Sequence, residues 1–360
     1  MSGGWAAVTT PLQDQHDVLL LDLDGVVYVG PLAVPGAVGA LAAARAAGSR
    51  LAFVTNNAAR TADAVARHLS ELGVAAVASE VVTSAQAAAS LLAGSLPPGS
   101  AVLVVGGEGL RSAVTAVGLR PVASADDEPA AVVQGFAPEV GWTSLLEACV
   151  AVRAGVPWVA TNPDRTLPTP RGPAPGNGAL VDVVRRTTGV EPTVAGKPFR
   201  PIMDEAVLRT GATRPLVVGD RLDTDIAGAQ TAGLPSMLVL TGVSAVRDLL
   251  AAPPGLRPTF VAADLAGLAT PHPACARTGA AGGGPVAWAC GGVTAQVLEG
   301  GVAVVPAEPT DPGPEHALAA LRAVCSAVWA SVDAHGPGAL DLEQARSALV
   351  RWTAPHGWDR

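Results

Sequence analysis

The sequence predicts an α/β fold: a doubly wound parallel-sheet core, an inserted α/β domain and a small C-terminal α+β domain. Three observations carry this. Short apolar runs alternate with helix-like stretches from residue 18 to about residue 240, the pattern of parallel strands joined by crossover helices. Two of those runs end in aspartate clusters, at the strand tips where open α/β sheets hold their ligands. Beyond about residue 265 the text turns to Gly- and Pro-rich sequence followed by a different alternation.

Residues 18–21, "VLLL", form a short apolar run leading into "DLDGVVYVG", read as a buried parallel strand with carboxylates at its tip. The stretch 34–48 is a helix with Pro35 near its start and Gly48 as its stop. "RLAFVTNN" (50–57) is a second buried strand. Residues 61–73 form a helix with Thr61 as N-cap and Gly73 closing it. Further strands are expected at 101–110, 130–136 and 157–162, interleaved with helix-like stretches such as "WTSLLEACVAVRAG". A Pro-rich segment (161–178) precedes the helix "GALVDVVRRTTG". Residues 214–233 read as strand, acidic loop and helix, and "PSMLVLTG" is one more strand.

In the tail, 271–285 looks like a linker. Alternating stretches with Gly-Gly turns then suggest a β-meander, followed by a long helix and a shorter one at 341–352. Four of the seven tryptophans lie beyond 285, so this part is expected to have its own core. The expected boundaries are 14–80 with 186–265 for the sheet core, 81–185 for the insert, 266–284 for the linker and 285–360 for the C-terminal domain.

Composition excludes several classes. With 49% hydrophobic and 15% charged residues, the chain is not a disordered polyampholyte. A net charge of −8 argues against a general nucleic-acid or anionic-membrane binder. No uninterrupted apolar run reaches the ~18–20 residues that span a bilayer, and the N-terminus lacks a basic region followed by an apolar one. Four scattered cysteines without CxxC spacing suit a reducing cytoplasm, with no disulfide frame and no zinc site.

Four short motifs carry chemistry. Asp22 and Asp24 are two apart, so in extended chain they point the same way, and two carboxylates on one face call for a cation. A second cluster, Asp220, Asp223 and Asp225, follows another apolar strand; alone it could be an ordinary loop. Oxygen-only ligands favour Mg²⁺, and the lack of His or Cys speaks against zinc. "VTNN" offers Thr55, Asn56 and Asn57 as an anion cradle, or equally as helix-capping groups. Lys197, in "TVAGKPFRP", is the only lysine among 23 basic residues. It is either one leftover solvated lysine or a compact ammonium required in a phosphoryl site.

In this order, DxD, TNN, GKP and GDxxxTD, the chain resembles the haloacid dehalogenase superfamily over about 15–265. The wording "DLDGVVYVG", "VTNNAAR", "ATNPD", "GNG" and "GKPFRP" is close to the subfamily of p-nitrophenyl-phosphatase-like and phosphoglycolate-phosphatase-like enzymes, which carry a large C2-type α/β cap on a Rossmann-like core. The resemblance implies a Mg²⁺-dependent phosphomonoesterase. It implies Asp22 as the nucleophile forming an aspartyl-phosphate, Asp24 as general acid and base, and Lys197 bridging the phosphate and Asp22. Thr55 and Asn56 hold phosphate oxygens, with Asn57 nearby. Asp22, the Asp24 carbonyl and Asp220 hold the metal, and Asp225 orients those ligands. Asp223 is left as a solvated loop acid. Asp24 favours a phosphatase or phosphomutase, because the superfamily's dehalogenases lack an acid there and its transport ATPases carry Thr; the large inserted cap and the lack of a membrane-spanning run then favour the phosphatase.

Arg165 and Leu167, in "TNPDRTLP", are candidates for a cap loop that reads the leaving group. The expected substrate is a small phosphorylated metabolite, glycerol 3-phosphate first, which the resemblance implies through the appended tail; the cap agrees in being poor in rings that would stack on a base, with only Phe136, Trp142 and Trp158 there. Phosphoglycolate, a nucleoside monophosphate and pyridoxal phosphate are alternatives. The tail resembles part of an acetyltransferase in arrangement. Residues 265–360 lack the Arg/Gln-x-x-Gly-x-Gly turn of that family, so no acetyl-CoA binding is expected and the tail should pack on the core or on a second subunit. A homo-oligomer is compatible with this. The rival reading is a non-catalytic scaffold, which predicts a damaged motif; none of the four is damaged.

Overall fold

The first strand, Val18–Leu21, is buried at all four positions, as a run of one Val and three Leu requires when both sheet faces are covered. It belongs to a computed structural model that describes residues 5–169, 171–278, 286–298, 301–305 and 313–359. The chain forms two compact units, one made of Met1–Leu51 with Arg214–Arg360, the other of Ala52–Thr213.

In the first unit, four parallel strands lie in the order Phe260–Ala262, Ser236–Val239, Pro215–Gly219, Val18–Leu21. The register pairs Leu21 with Val218. Asp22 and Asp220 therefore leave neighbouring strands at the same carboxyl edge. The stretch after Pro215–Gly219, expected as an acidic loop, is instead a wide helical turn, Leu222–Ile226, running into the helix Ala227–Ala232.

The tail joins this unit. The expected meander is present as Ala287–Cys290, Val293–Leu298 and Gly301–Val305. It gains a fourth, antiparallel strand, Cys275–Thr278, from within the stretch expected as linker. Here alternation was too short to read, and the linker expectation is corrected. The long helix Pro314–His335 and the helix Leu342–Thr353 complete the tail. Its expected separate core is also corrected. Leu222, Ile226, Leu238, Leu249 and Val261 share one hydrophobic cluster with Val293, Leu321, Val324, Trp329 and Trp352. Trp5, upstream of the expected start at 14, packs on Trp329 with ring centres 4.8 Å apart and planes tilted by 39°, and donates its indole N–H to the Arg322 carbonyl. Pro314–His335 has the length and composition of a membrane span, but 72% of its apolar window is buried within the protein. That burial fits a core helix.

In the second unit, Phe53, Val54 and Thr55, at the end of the strand Arg50–Thr55, pair in parallel with Val81–Thr83, so the expected boundary at residue 80 separates two paired strands. A five-stranded parallel sheet follows, in the order Thr193–Val194, Trp158–Ala160, Ala131–Gln134, Ala101–Val105, Arg120–Val122. The expected boundary at 185 falls inside the helix Asn177–Thr188, whose apolar face belongs to this sheet's core through Val181 and Val184. Thr61 caps its helix as expected, accepting the Ala64 N–H at 3.2 Å. The Pro-rich segment contains an antiparallel hairpin, Thr166–Thr169 with Gly172–Pro175.

Candidate active site

Each unit carries some of the residues singled out in the sequence. In the first, Asp22, Asp220 and Asp225 each present a carboxylate oxygen, and the three atoms lie within 4.8 Å of one another. Asp22 is half-buried, and Asp220 and Asp225 are about 1% exposed. Burying three carboxylates together is strongly unfavourable without a cation. The donors are oxygen only, which suits Mg²⁺. The residues present fit that ion.

The strand positions each acid. Asp22 donates its N–H to the Val218 carbonyl at 2.8 Å, continuing the ladder one residue past the strand. Gly25 follows with φ +83°, and a Cβ there would sit 2.5 Å from Asp220 Oδ2, so only glycine turns the chain here. Asp220 Oδ2 accepts the Val243 N–H at 2.7 Å, and the Asp220 carbonyl accepts the Ser244 N–H. Asp225 Oδ2 accepts the Arg221 N–H at 3.1 Å, which fixes this acid from within the helical turn.

Asp24 is exposed and lies outside the three-acid cluster. Asp223 is exposed as expected, but it is paired: the Arg221 guanidinium donates to both its oxygens at 3.0 and 2.8 Å and holds its carboxyl below the usual range.

The loop 241–244 was missed by sequence reasoning. Thr241 Oγ1 donates to the Gly25 carbonyl at 2.6 Å, and Ser244 Oγ accepts the Leu222 N–H. Gly242 lets this loop pass Asp220, since a Cβ on it would lie 2.0 Å from Oδ2. The available signal was a small-residue run, "TGVS", just past a parallel strand.

In the second unit, Lys197 is 3% exposed, so it is not a solvated leftover. Its ammonium donates to the Val54 carbonyl at 3.1 Å, beside the tip of Arg50–Thr55. Asn56 holds the lysine's backbone from both sides: its Oδ1 accepts the Lys197 N–H at 2.8 Å and its Nδ2 donates to the Lys197 carbonyl at 3.0 Å. The same Nδ2 reaches Asp164 at 3.1 Å. Asn56 was expected to hold phosphate oxygens; its side-chain amide is engaged in fixing Lys197.

Asn162 and Ser84, which sequence reading passed over, both donate to the Asn56 carbonyl, at 2.7 and 2.6 Å. Thr55 is buried and accepts the Asn57 N–H. Asn57 is exposed, with its Oδ1 accepting the N–H groups of Ala59 and Arg60. Its carbonyl therefore serves the local turn.

Arg165 opens the hairpin. Its side chain is 77% exposed and lies 3.7 Å from Asp182, and Leu167 is half-buried on the first hairpin strand. Arg165 and Asp182 also line a 370 Å³ groove with Asn162, Arg185, Glu191 and Phe199.

Comparison with known proteins gives a consistent picture. The model of haloacid dehalogenase-like hydrolases matches residues 19–120, and a second HAD-hydrolase-like model matches 194–268. The chain is 49% identical over 351 residues to D-glycerol 3-phosphate phosphatase of Mycobacterium tuberculosis, covering 95% of both chains. It is 38% identical to acid sugar phosphatase of Staphylococcus aureus over 65% of this chain and 90% of that protein. The crystal structure of the M. tuberculosis glycerol phosphate phosphatase in complex with magnesium aligns with a TM-score of 0.83 at 48% identity, over 96% of this chain and 99% of that one. The 4-nitrophenylphosphatase of Thermotoga maritima aligns with a TM-score of 0.66 at 31% identity, over 72% and 98%.

Proposed function

The chain belongs to the haloacid dehalogenase-like hydrolases, and from that premise we propose that it is a Mg²⁺-dependent phosphomonoesterase acting on glycerol 3-phosphate. The single observation that carries the class is the three-carboxylate cluster at the tips of two paired parallel strands. The substrate rests on the whole-length similarity to D-glycerol 3-phosphate phosphatase, which extends through the tail.

In this reading, Asp22, Asp220 and the Asp24 carbonyl hold Mg²⁺, and Asp225 orients them. The ion supplies positive charge that lets an anionic nucleophile approach a phosphate dianion. An Asp22 oxygen attacks phosphorus as the ester P–O bond breaks, and the carboxyl of Asp24 gives its proton to the departing glycerol oxygen. Asp24, now a carboxylate, takes a proton from water. That water attacks phosphorus, breaks the bond to Asp22 and releases inorganic phosphate. Exposure of Asp24 suits a group that must meet both the leaving alcohol and water.

Lys197 balances charge on the phosphoryl oxygens, where an ammonium held by a fixed backbone needs no reorganisation during reaction. Thr55 and the backbone N–H groups after it, at Asn56 and Asn57, complete the phosphate cradle. The hairpin carrying Arg165 and Leu167 is proposed to read the leaving group. A cytoplasmic location is proposed on the four cysteines, all free.

The test is a phosphate-release screen with Mg²⁺ over glycerol 3-phosphate, sugar phosphates, phosphoglycolate, nucleoside monophosphates and pyridoxal phosphate, read as kcat/KM. The highest value is expected for glycerol 3-phosphate. A higher value for any other class overturns the substrate, and no release from any overturns the function.

A further inference from the structure

A second cluster of reactive groups lies in the tail sheet and takes no part in phosphate chemistry. Cys275 and Cys290 are directly opposite each other on antiparallel strands. Directly opposed residues in such a pair have Cα atoms ~4.5–5.5 Å apart, inside the range a disulfide spans. Both cysteines are free thiols. Cys290 is 2% exposed, whereas Cys275, at the start of its strand, is half-buried and reachable.

The helix Pro314–His335 brings a charged group to this pair. Arg322 is 3% exposed. Its Nη2 donates to the Val261 carbonyl at 2.7 Å and lies 3.3 Å from His272 Nδ1. Among the described residues its buried Nη1 has no hydrogen-bond partner. A guanidinium is always charged, and burying one without a carboxylate is costly. A neighbouring thiolate offsets that cost. The Cys275 S–H, together with Arg322, lowers the Cys290 thiol, while the ionised partner and burial raise Cys275.

We propose that Cys275 and Cys290 are a redox-responsive dithiol, poised by the buried Arg322, that closes to a disulfide on meeting a hydroperoxide. With Cys290 protonated, Cys275, the accessible sulfur, gives up its proton to solvent and carries the charge. Cys275 attacks one peroxide oxygen, the O–O bond breaks, and the departing hydroxide is protonated to water, leaving a sulfenic acid. Cys290 then loses its proton, favoured by Arg322, and attacks the Cys275 sulfur. The S–S bond forms, the S–O bond breaks, and a second water departs. Two electrons pass from the sulfurs to the peroxide, and two thiols plus hydrogen peroxide give one disulfide plus two waters. The bond pins the strand Cys275–Thr278 to its neighbour.

The experiment uses the full-length protein, reduced, freed of reductant and exposed to hydrogen peroxide. Expected are loss of two of the four thiols, a peptide pair linking Cys275 to Cys290, a higher unfolding midpoint, and reversal by dithiothreitol. In Cys290→Ser, a sulfenic acid is expected to be trapped on Cys275 by dimedone; label on another cysteine instead overturns the assigned order. Four intact thiols in the treated wild-type protein overturn the proposal. So does irreversible oxidation of one cysteine without a link, or a link through Cys149 or Cys325.

Discussion

The side-chain amide of Asn56 grips the backbone of Lys197 on both sides, accepting its N–H at 2.8 Å and donating to its carbonyl at 3.0 Å. One asparagine at the end of a strand thus fixes a lysine 141 residues later in the chain. Gly196 makes the approach possible: a Cβ there would lie 2.5 Å from Asn56 Oδ1.

This relationship predicts that Asn56 acts on catalysis through Lys197. Asn56→Ala should lower kcat by about 10²-fold, the scale of a displacement of roughly an ångström in a positioned group. Lys197→Ala should lower it at least as far. The double variant should be no worse than Lys197→Ala alone, because the asparagine has nothing left to position. Steady-state kinetics on the four proteins check this; fully multiplicative losses would give Asn56 a separate role.

Gly242→Ala should raise the Mg²⁺ concentration needed for half-maximal activity. The added Cβ would lie 2.0 Å from Asp220 Oδ2, so the carboxylate or the loop must move. A loss of about 10-fold or more in metal affinity is expected from disturbing a ligand's support. Activity at saturating Mg²⁺ should partly recover. A magnesium titration reads both numbers.

The tail's attachment predicts a stability effect. Arg257, 5% exposed, donates to both oxygens of Asp333 at 2.6 and 2.8 Å and lies 5.0 Å from the centre of the Trp329 ring. Asp333→Ala leaves a buried guanidinium without its partner. The loss should be about 2 kcal/mol, below the usual value for a buried pair because Asp333 is itself 40% exposed. Arg257 also holds the Asp333 carboxyl below the usual carboxylate range in the folded protein. As pH falls, the unfolded chain takes up this proton first. The contribution is therefore complete above the ordinary carboxylate value of about 3.9 and disappears as pH falls through the folded one. Chemical denaturation of both proteins from pH 7 to pH 3 should show the gap closing at the acid end.

His272 predicts a second pH dependence, nearer neutrality. It is 2% exposed, its Nε2 lies 2.9 Å from the Gly267 carbonyl, and its Nδ1 faces Arg322. This is the geometry of a neutral ring with the proton on Nε2. Burial, with Arg322 adding to it, pushes its pKa down. The unfolded histidine charges near pH 6.5 while the folded one stays neutral. Stability should be full above that value and fall as pH drops below it. Unfolding midpoints between pH 7.5 and pH 5 check this, and His272→Gln should flatten that part of the curve.

How far the sequence could be read follows from the range of the interactions involved. Asp22 and Asp220 were legible because each ends a continuous apolar run, and burial on both faces leaves few alternatives to a parallel strand. Lys197 stood out by composition alone. Asn56 was found, but its role was not, because its partner lies 141 residues away and no local pattern records such a bond. Ser244 and Asn162 look like ordinary loop residues for the same reason.

The strand Cys275–Thr278 was hidden by its length. It has four residues, three of them exposed, and its stability comes from pairing with Ala287–Cys290. The tail's tryptophans suggested a separate core, yet Trp329 and Trp352 belong to a cluster with Leu238 and Val261 of the parallel sheet. Composition identifies residues that will be buried, and cannot identify what buries them.

The central claim is that Asp22 forms a covalent bond to phosphorus. Its most direct test is acid quenching of the enzyme a few milliseconds after mixing with Mg²⁺ and glycerol 3-phosphate, followed by peptide mapping. Phosphate is expected on the peptide containing Asp22, and neither label nor turnover in Asp22→Asn. Undiminished phosphate release by Asp22→Asn, or label confined to another residue, would contradict the account.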